Sequence, residues 1–266
     1  MAQRYPRVAA CPAPYAPAVP AVVIGLLAGL VAGAFGVGGG ILIVPGLMWL
    51  SRYDQRLAHG TSLAAVVPIS AASLVPYVLN GAVSWGVAAL LLGGSLLGAV
   101  AGTALMHVLP LRALSTAFAL LLGGTAVRLF VSPHTGGSGD FDARLALAVA
   151  AVGLVAGTVS GLLGVGGGIV IVPALVLFAG FAPLDAKGTS LAVILPTALI
   201  GTWRNRRRGN ANLRAATVIG AVGATTALAG GAIAAALPDQ AANVAFAALL
   251  TLVAGRMVFQ VVRRVS

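Results

Sequence analysis

Glutamate is absent from this chain of 266 residues, and negative charge is confined to Asp54, Asp140, Asp142, Asp185 and Asp239. All five lie in or beside polar breaks, so no carboxylate falls in the middle of an apolar run. Proton and cation transporters usually keep an intramembrane carboxylate as relay or ligand, and its absence argues against cation transport. Cysteine is almost missing as well. Cys11 stands alone, which removes disulfides, cysteine-ligated metals and iron–sulfur clusters. Charge of either sign is scarce, 8% of residues where a soluble domain carries about 25%. Against that, 59% of residues are apolar and the mean hydropathy is +1.04. So few charges cannot coat a water-exposed globule of this size.

The apolar residues run continuously, as in Val87 to Met106 and Leu145 to Leu163. A transmembrane barrel would alternate apolar and polar positions. The expected fold class is therefore an all-α integral membrane protein. Its 36 glycines and 14 prolines then mark close helix packing and interrupted helices, not disorder. No apolar stretch precedes Cys11, and the first 20 residues hold Arg4, Arg7 and five prolines. Neither a lipid attachment nor a cleaved signal peptide is expected there. Three isolated histidines and loop-bound aspartates assemble no nucleophile–base pair and no metal site. The chain is expected to be no enzyme, with no catalytic residue, metal or cofactor.

Basic residues are in excess, 15 arginines and Lys187, for a net charge of +11. That excess is compatible with an anionic substrate and also with the charge bias of cytoplasmic loops. An internal duplication organises the rest. Residues Ile24 to Leu50 and Val152 to Phe178 share the core GVGGGI followed by Ile-Val-Pro, at an offset of 128. The offset also relates Gly60-Thr61-Ser62-Leu63-Ala64 to Gly188-Thr189-Ser190-Leu191-Ala192, and Pro68, Gly81, Gly102, Pro110 and Arg128 to Pro196, Gly209, Gly230, Pro238 and Arg256. The expected organisation is a Pro-rich tail (1–19), repeat 1 (20–131), a linker (132–144), repeat 2 (145–262) and a basic tail (263–266).

Each repeat divides into about five apolar segments: 20–35, 39–50, 61–79, 86–107 and 112–131, then 145–163, 167–180, 189–203, 215–236 and 241–262. An odd number inverts the second repeat relative to the first. The loops agree, because the uncharged break at 80–84 corresponds to the break at 204–214, which carries Arg204, Arg206, Arg207, Arg208 and Arg214. Placing that loop in the cytoplasm puts both termini there, with Arg4, Arg7, Arg263 and Arg264. The prediction is two inverted-topology repeats, an arrangement typical of secondary transporters. Trp49, Tyr53, Tyr77, Trp85 and Trp203 fall near segment ends, as interfacial anchors do.

Gly36-Val37-Gly38-Gly39-Gly40 and Gly164-Val165-Gly166-Gly167-Gly168 interrupt the apolar run after about 16 residues, short of the roughly 20 needed to cross a bilayer. Non-helical backbone at membrane depth survives only where protein or a wet cavity receives it. The sequence thus predicts discontinuous or re-entrant helical hairpins whose glycine tips meet near the midplane. The helix after each tip offers free N–H groups and a positive dipole end, an anion site that needs no charged side chain. Tight helix crossing alone is the other account of these glycines. Thr61, Ser62, Thr189 and Ser190 stand at expected helix starts, either as N-caps or lining the substrate path. Lys187 reads as an exposed loop cation or an electrostatic aid to the site. Arg128 and Arg256 read as snorkelling residues or as further charge for the substrate.

The doubled motif, GVGGGILIVPGL and GVGGGIVIVPAL, each followed by Gly-Thr-Ser-Leu-Ala, resembles the TauE/SafE sulfite-exporter family of membrane permeases over residues 20–262. The resemblance implies export of sulfur-containing anions such as sulfite, sulfoacetate or another organosulfonate across the bacterial cytoplasmic membrane. Carried onto this chain, it implies substrate-binding positions at Gly36, Gly38, Gly39, Gly40, Thr61, Ser62, Gly164, Gly166, Gly167, Gly168, Thr189 and Ser190. An anion channel, or uptake of a different small organic acid, stays open beside it. The implied partners are a small anion and the lipid bilayer, with no nucleic acid and with room for a homo-oligomer.

Overall fold

The computed structural model describes residues 18–105, 123, 127, 143–163, 167–237, 241, 244–252 and 255. Among these residues every regular element is helical. The first half holds α1 (Ala18–Phe35), α2 (Gly40–Leu50), α3 (Gln55–Leu79) and α4 (Trp85–Leu105). The second holds α5 (Ala143–Leu163), α6 (Gly168–Phe178), α7 (Pro183–Arg207) and α8 (Leu213–Ala236), with further helical residues at 244–252. Most of the segment expected at 112–131 lies outside the described residues, as do the linker at 132–142 and the N-terminal tail to residue 17.

Length separates two kinds of helix. Residues Arg56–Leu79 of α3, together with α7 and α8, are long and apolar enough to cross a membrane. α2 and α6 have 11 residues each, which at 1.5 Å per residue is only about half the hydrocarbon thickness. These half-length helices are the discontinuity expected at the glycine motifs. Leu27, Leu97, Leu147, Val155, Leu199 and Ile233 are more than half exposed and give α1, α4, α5, α7 and α8 an apolar exterior, as a lipid-facing surface requires.

Helices α3 and α7 begin six residues before the expected positions. Asp54 caps α3 by accepting from the Leu57 amide at 3.3 Å, and Pro183, whose missing N–H costs nothing at a first helical position, opens α7. The Gly-Thr-Ser triplets therefore lie in the second helical turn, and the N-cap role expected of Thr61, Ser62, Thr189 and Ser190 belongs instead to Asp54 and Ala182. Residues 55–59, which read as part of a break, form the opening turn.

Small residues set the helix pairing. Gly25, Gly29 and Gly33, one turn apart on α1, lie against the carbonyls of Ile219, Gly223 and Ala227 on α8. At the equivalent places Gly153 and Gly157 of α5 lie against the carbonyls of Leu91 and Ser95 on α4. No side chain fits between these backbones, and van der Waals contact holds the pairs where lipid leaves little hydrophobic drive. The fourth helix of each half thus packs on the first helix of the other. The two cores follow the same exchange. One joins residues of α1, α2 and α3 with α8, the other joins α4 with α5, α6 and Phe246, and α7 contributes to both.

The equivalent helices α3 and α7 run antiparallel. Gly60, near the start of α3, touches Asn205 and Asn210 at and beyond the end of α7. Gly188, near the start of α7, touches Tyr77 and Ala82 at and beyond the end of α3.

Candidate anion site at the glycine breaks

The breaks have a backbone that only glycine adopts readily. Gly36, Gly38 and Gly39 have φ of +68°, +76° and +73°, and Gly167 has +74°. Gly39 and Gly167, equivalent in the two halves, are the left-handed N-caps of α2 and α6. Their carbonyls accept the first helical bonds, from Leu42 and Ile43 at 3.0 and 3.2 Å, and from Val170 and Ile171 at 3.0 and 3.1 Å. The amides ahead of these have no intrahelical acceptor, and no side chain caps either start. Gly164 and Gly166, and with them Arg128 and Arg256, lie outside the described residues.

The breaks come together on α7. A methyl group built on Gly168 would collide with Ile194 Cδ1 and lie 3.0 Å from Ser190 Oγ and 3.1 Å from the Gly36 carbonyl oxygen. One on Gly38 would lie 3.0 Å from Ile194 Cγ2 and 3.5 Å from Val66 Cγ1. Val66 and Ile194 are themselves related by the offset of 128, so equivalent positions of α3 and α7 both lie beside Gly38. One on Gly36 would lie 2.7 Å from Lys187 Cα. Close packing therefore requires these glycines in this conformation, whatever else they do.

The threonines and serines of the two triplets behave differently. Thr61 Oγ1 accepts from the Asn212 amide and Thr189 Oγ1 from the Ser84 amide, each at 3.0 Å. Asn212 and Ser84 precede α8 and α4 and are also related by the offset of 128. The threonines thus fasten the exchanged helices. Ser62 and Ser190 are fully buried, and neither hydroxyl has a hydrogen-bond partner among the described residues. A serine in an apolar helix ordinarily satisfies itself on the carbonyl one turn back, as Ser73 does on Ile69 at 2.8 Å. Ser62 and Ser190, equivalent in the two halves, both forgo this bond.

Lys187 is not in a loop. It is 1% exposed, inside α7, with its ammonium 5.8 Å from the Phe35 ring centroid and 5.2 Å from that of Phe246. Its counterpart His59 is half-buried on α3. Tyr53 and Tyr77, expected as interfacial anchors, are buried, whereas Trp49, Trp85 and Trp203 are exposed. The Tyr77 hydroxyl donates to the Gly33 carbonyl at 2.7 Å, holding the end of α1 just before the break. Tyr53 accepts from Asn212 Nδ2 at 2.8 Å. Burial raises its phenol pKa, partly offset by that bond. No three His, Cys, Asp or Glu side chains gather into a metal site among the described residues.

The family described as Sulfite exporter TauE/SafE matches residues 3–140 and 149–265. The chain belongs to that family. Among TauE/SafE relatives, a probable membrane transporter protein of Bacillus subtilis, YunE, is 28% identical over 218 residues, 72% of this chain and 79% of the relative. A probable membrane transporter protein of Xylella fastidiosa is 30% identical over 188 residues, 69% of this chain and 72% of its own length. One from Methanocaldococcus jannaschii is 28% identical over 187 residues, 68% and 69% of the two chains. No solved structure matches the chain significantly. Membership in TauE/SafE, these relatives and the apolar helices make it a multi-pass membrane transporter.

Proposed function

We propose that this transporter exports a small sulfur-containing oxyanion, such as sulfite, sulfoacetate or another organosulfonate, across the bacterial cytoplasmic membrane. The observation that carries the reading is the Ser190 hydroxyl, buried, without a hydrogen-bond partner among the described residues and set against Gly168 at the glycine-led start of α6. Ser62, its equivalent at the offset of 128, is buried and unpaired in the same way. The amides at a helix start and a free hydroxyl are donors suited to a tetrahedral or pyramidal oxyanion. Gly36, Gly38, Gly39, Gly40, Gly167 and Gly168 let the anion approach the backbone, and Gly164 and Gly166 belong to the same motif in the sequence. The repeats at 20–131 and 145–262 form an inverted pair, a reading supported by the antiparallel α3 and α7. Alternating access follows from rocking of the two halves about the midplane site, with both termini cytoplasmic. No enzymatic step enters the cycle. A cell-negative potential favours outward movement of an anion by about 2.3 kcal/mol per charge per 100 mV.

Labelled sulfite and sulfoacetate flux in proteoliposomes tests this directly. Wild-type flux is expected to saturate and to follow the imposed potential. Gly38→Leu, which drives a side chain into Ile194 and Val66, is expected to abolish it in correctly inserted protein. Flux that does not saturate points to a channel. If neither anion moves under either polarity, the substrate assignment fails.

A further inference from the structure

We infer that Lys187 supplies the anion site with a fixed positive charge on one side only, so that an anion held between the breaks is bound more strongly from the α6 side than from the α2 side. The inference rests on the transport reading above and specifies how that site holds its ligand.

Three observations converge. Lys187, Ser190 and Ile194 are spaced i, i+3 and i+7, so they share one face of α7. That face is the one against the breaks. The backbone at Lys187 abuts Gly36, the Ser190 hydroxyl abuts Gly168, and Ile194 abuts both Gly38 and Gly168. A cation, a hydroxyl without a partner and a helix start therefore follow one another along a single line.

The ammonium lies against two aromatic rings. The Phe35 and Phe246 rings are stacked at 5.9 Å, and Nζ lies within 6 Å of both centroids. Ring faces attract a cation while excluding water. In such a poorly screened place the charge acts on an anion far more strongly than it would at a wet surface. An ionisable residue at membrane depth is costly enough that function is the default account of it. The other half has no equivalent. Position 59 carries an imidazole, which is not fully charged near neutral pH, and it is only half-buried. The two halves of the site are thus alike at Gly39 and Gly167 and in their hydroxyls, and unlike in charge.

The test compares wild type with Lys187→Met, Lys187→Arg and His59→Met in proteoliposomes, using labelled sulfite and sulfoacetate, and records melting temperature on the same preparations. Lys187→Met keeps length and apolar contact, and replacing a buried charge by a hydrophobic residue of similar volume is often neutral or stabilising. It is expected to melt no lower than wild type and to raise KM about tenfold or more. Lys187→Arg is expected to stay near the wild-type KM, and His59→Met to change KM less than about threefold. An unchanged KM in Lys187→Met overturns the inference while the transport reading stands. If the methionine variant does not assemble, the other two decide. Near-normal KM in both supports the assignment, and a His59→Met loss of about tenfold overturns it. Wild type that moves neither anion defeats the transport reading, and this inference with it.

Discussion

Ser62→Ala combined with Ser190→Ala is expected to abolish saturable anion transport while leaving the protein at least as stable as wild type. Deleting a residue from a membrane core usually does the opposite. Here the deleted groups are fully buried hydroxyls without partners, and an unsatisfied buried donor costs about 1–3 kcal/mol. Removing it relieves that cost and leaves a void smaller than a methyl group. A hydrogen bond to a charged ligand contributes about 1.5–3 kcal/mol, so losing both weakens binding roughly 100- to 10,000-fold. Ser51 and Ser95 are also buried without partners, but they lie at the end of α2 and at the α4–α5 crossing. Ser51→Ala and Ser95→Ala are therefore controls with wild-type flux. A double variant that loses stability and keeps its flux would return Ser62 and Ser190 to the fold.

Gly29→Leu is expected to prevent assembly altogether. Its side chain would enter the Gly223 carbonyl and the Thr226 hydroxyl, where α1 and α8 touch backbone to backbone. Separating two helices along their whole contact exceeds what side-chain adjustment can absorb, and the cost belongs with the severe class of above about 4 kcal/mol. Gly157→Leu should fail equally, since it meets the Ser95 backbone at the equivalent α4–α5 contact. Gly93→Leu has open space around it and is the control. Size-exclusion profiles in detergent read the outcome. A monodisperse Gly29→Leu protein melting with wild type would mean that α1 and α8 are not held by this crossing.

Much of the site could be read from the offset of 128. Gly39 and Gly167 share one left-handed conformation, Thr61 and Thr189 make one kind of bond, and Ser62 and Ser190 share one lack of it. Identical residues at identical spacing impose the same local geometry twice. The helix starts were less legible. Gln55 to Gly60 looks like a polar break, and only the cap at Asp54 shows that those residues turn with α3. Lys187 was misjudged for a related reason, because one basic residue beside Gly-Thr-Ser signals a loop unless the two phenylalanines that receive it are known. Phe35 and Phe246 are 211 positions apart, and nothing in their spacing pairs them. The exchange of α4 and α8 between halves was invisible too. A helix that is apolar all round does not declare which neighbour it prefers.

The central claim is that an anion occupies the space at the Ser190 hydroxyl and the start of α6. Cys11 is the sole cysteine, so Cys11→Ser gives a background in which Ser190→Cys introduces a single thiol at that point. The decisive measurement is the rate at which a membrane-impermeant methanethiosulfonate reagent modifies that thiol in transport-competent proteoliposomes, as sulfite or sulfoacetate is raised. The account predicts a rate that falls with anion concentration and halves near the transport KM. A rate that stays constant while the same protein transports the anion would place the binding site elsewhere.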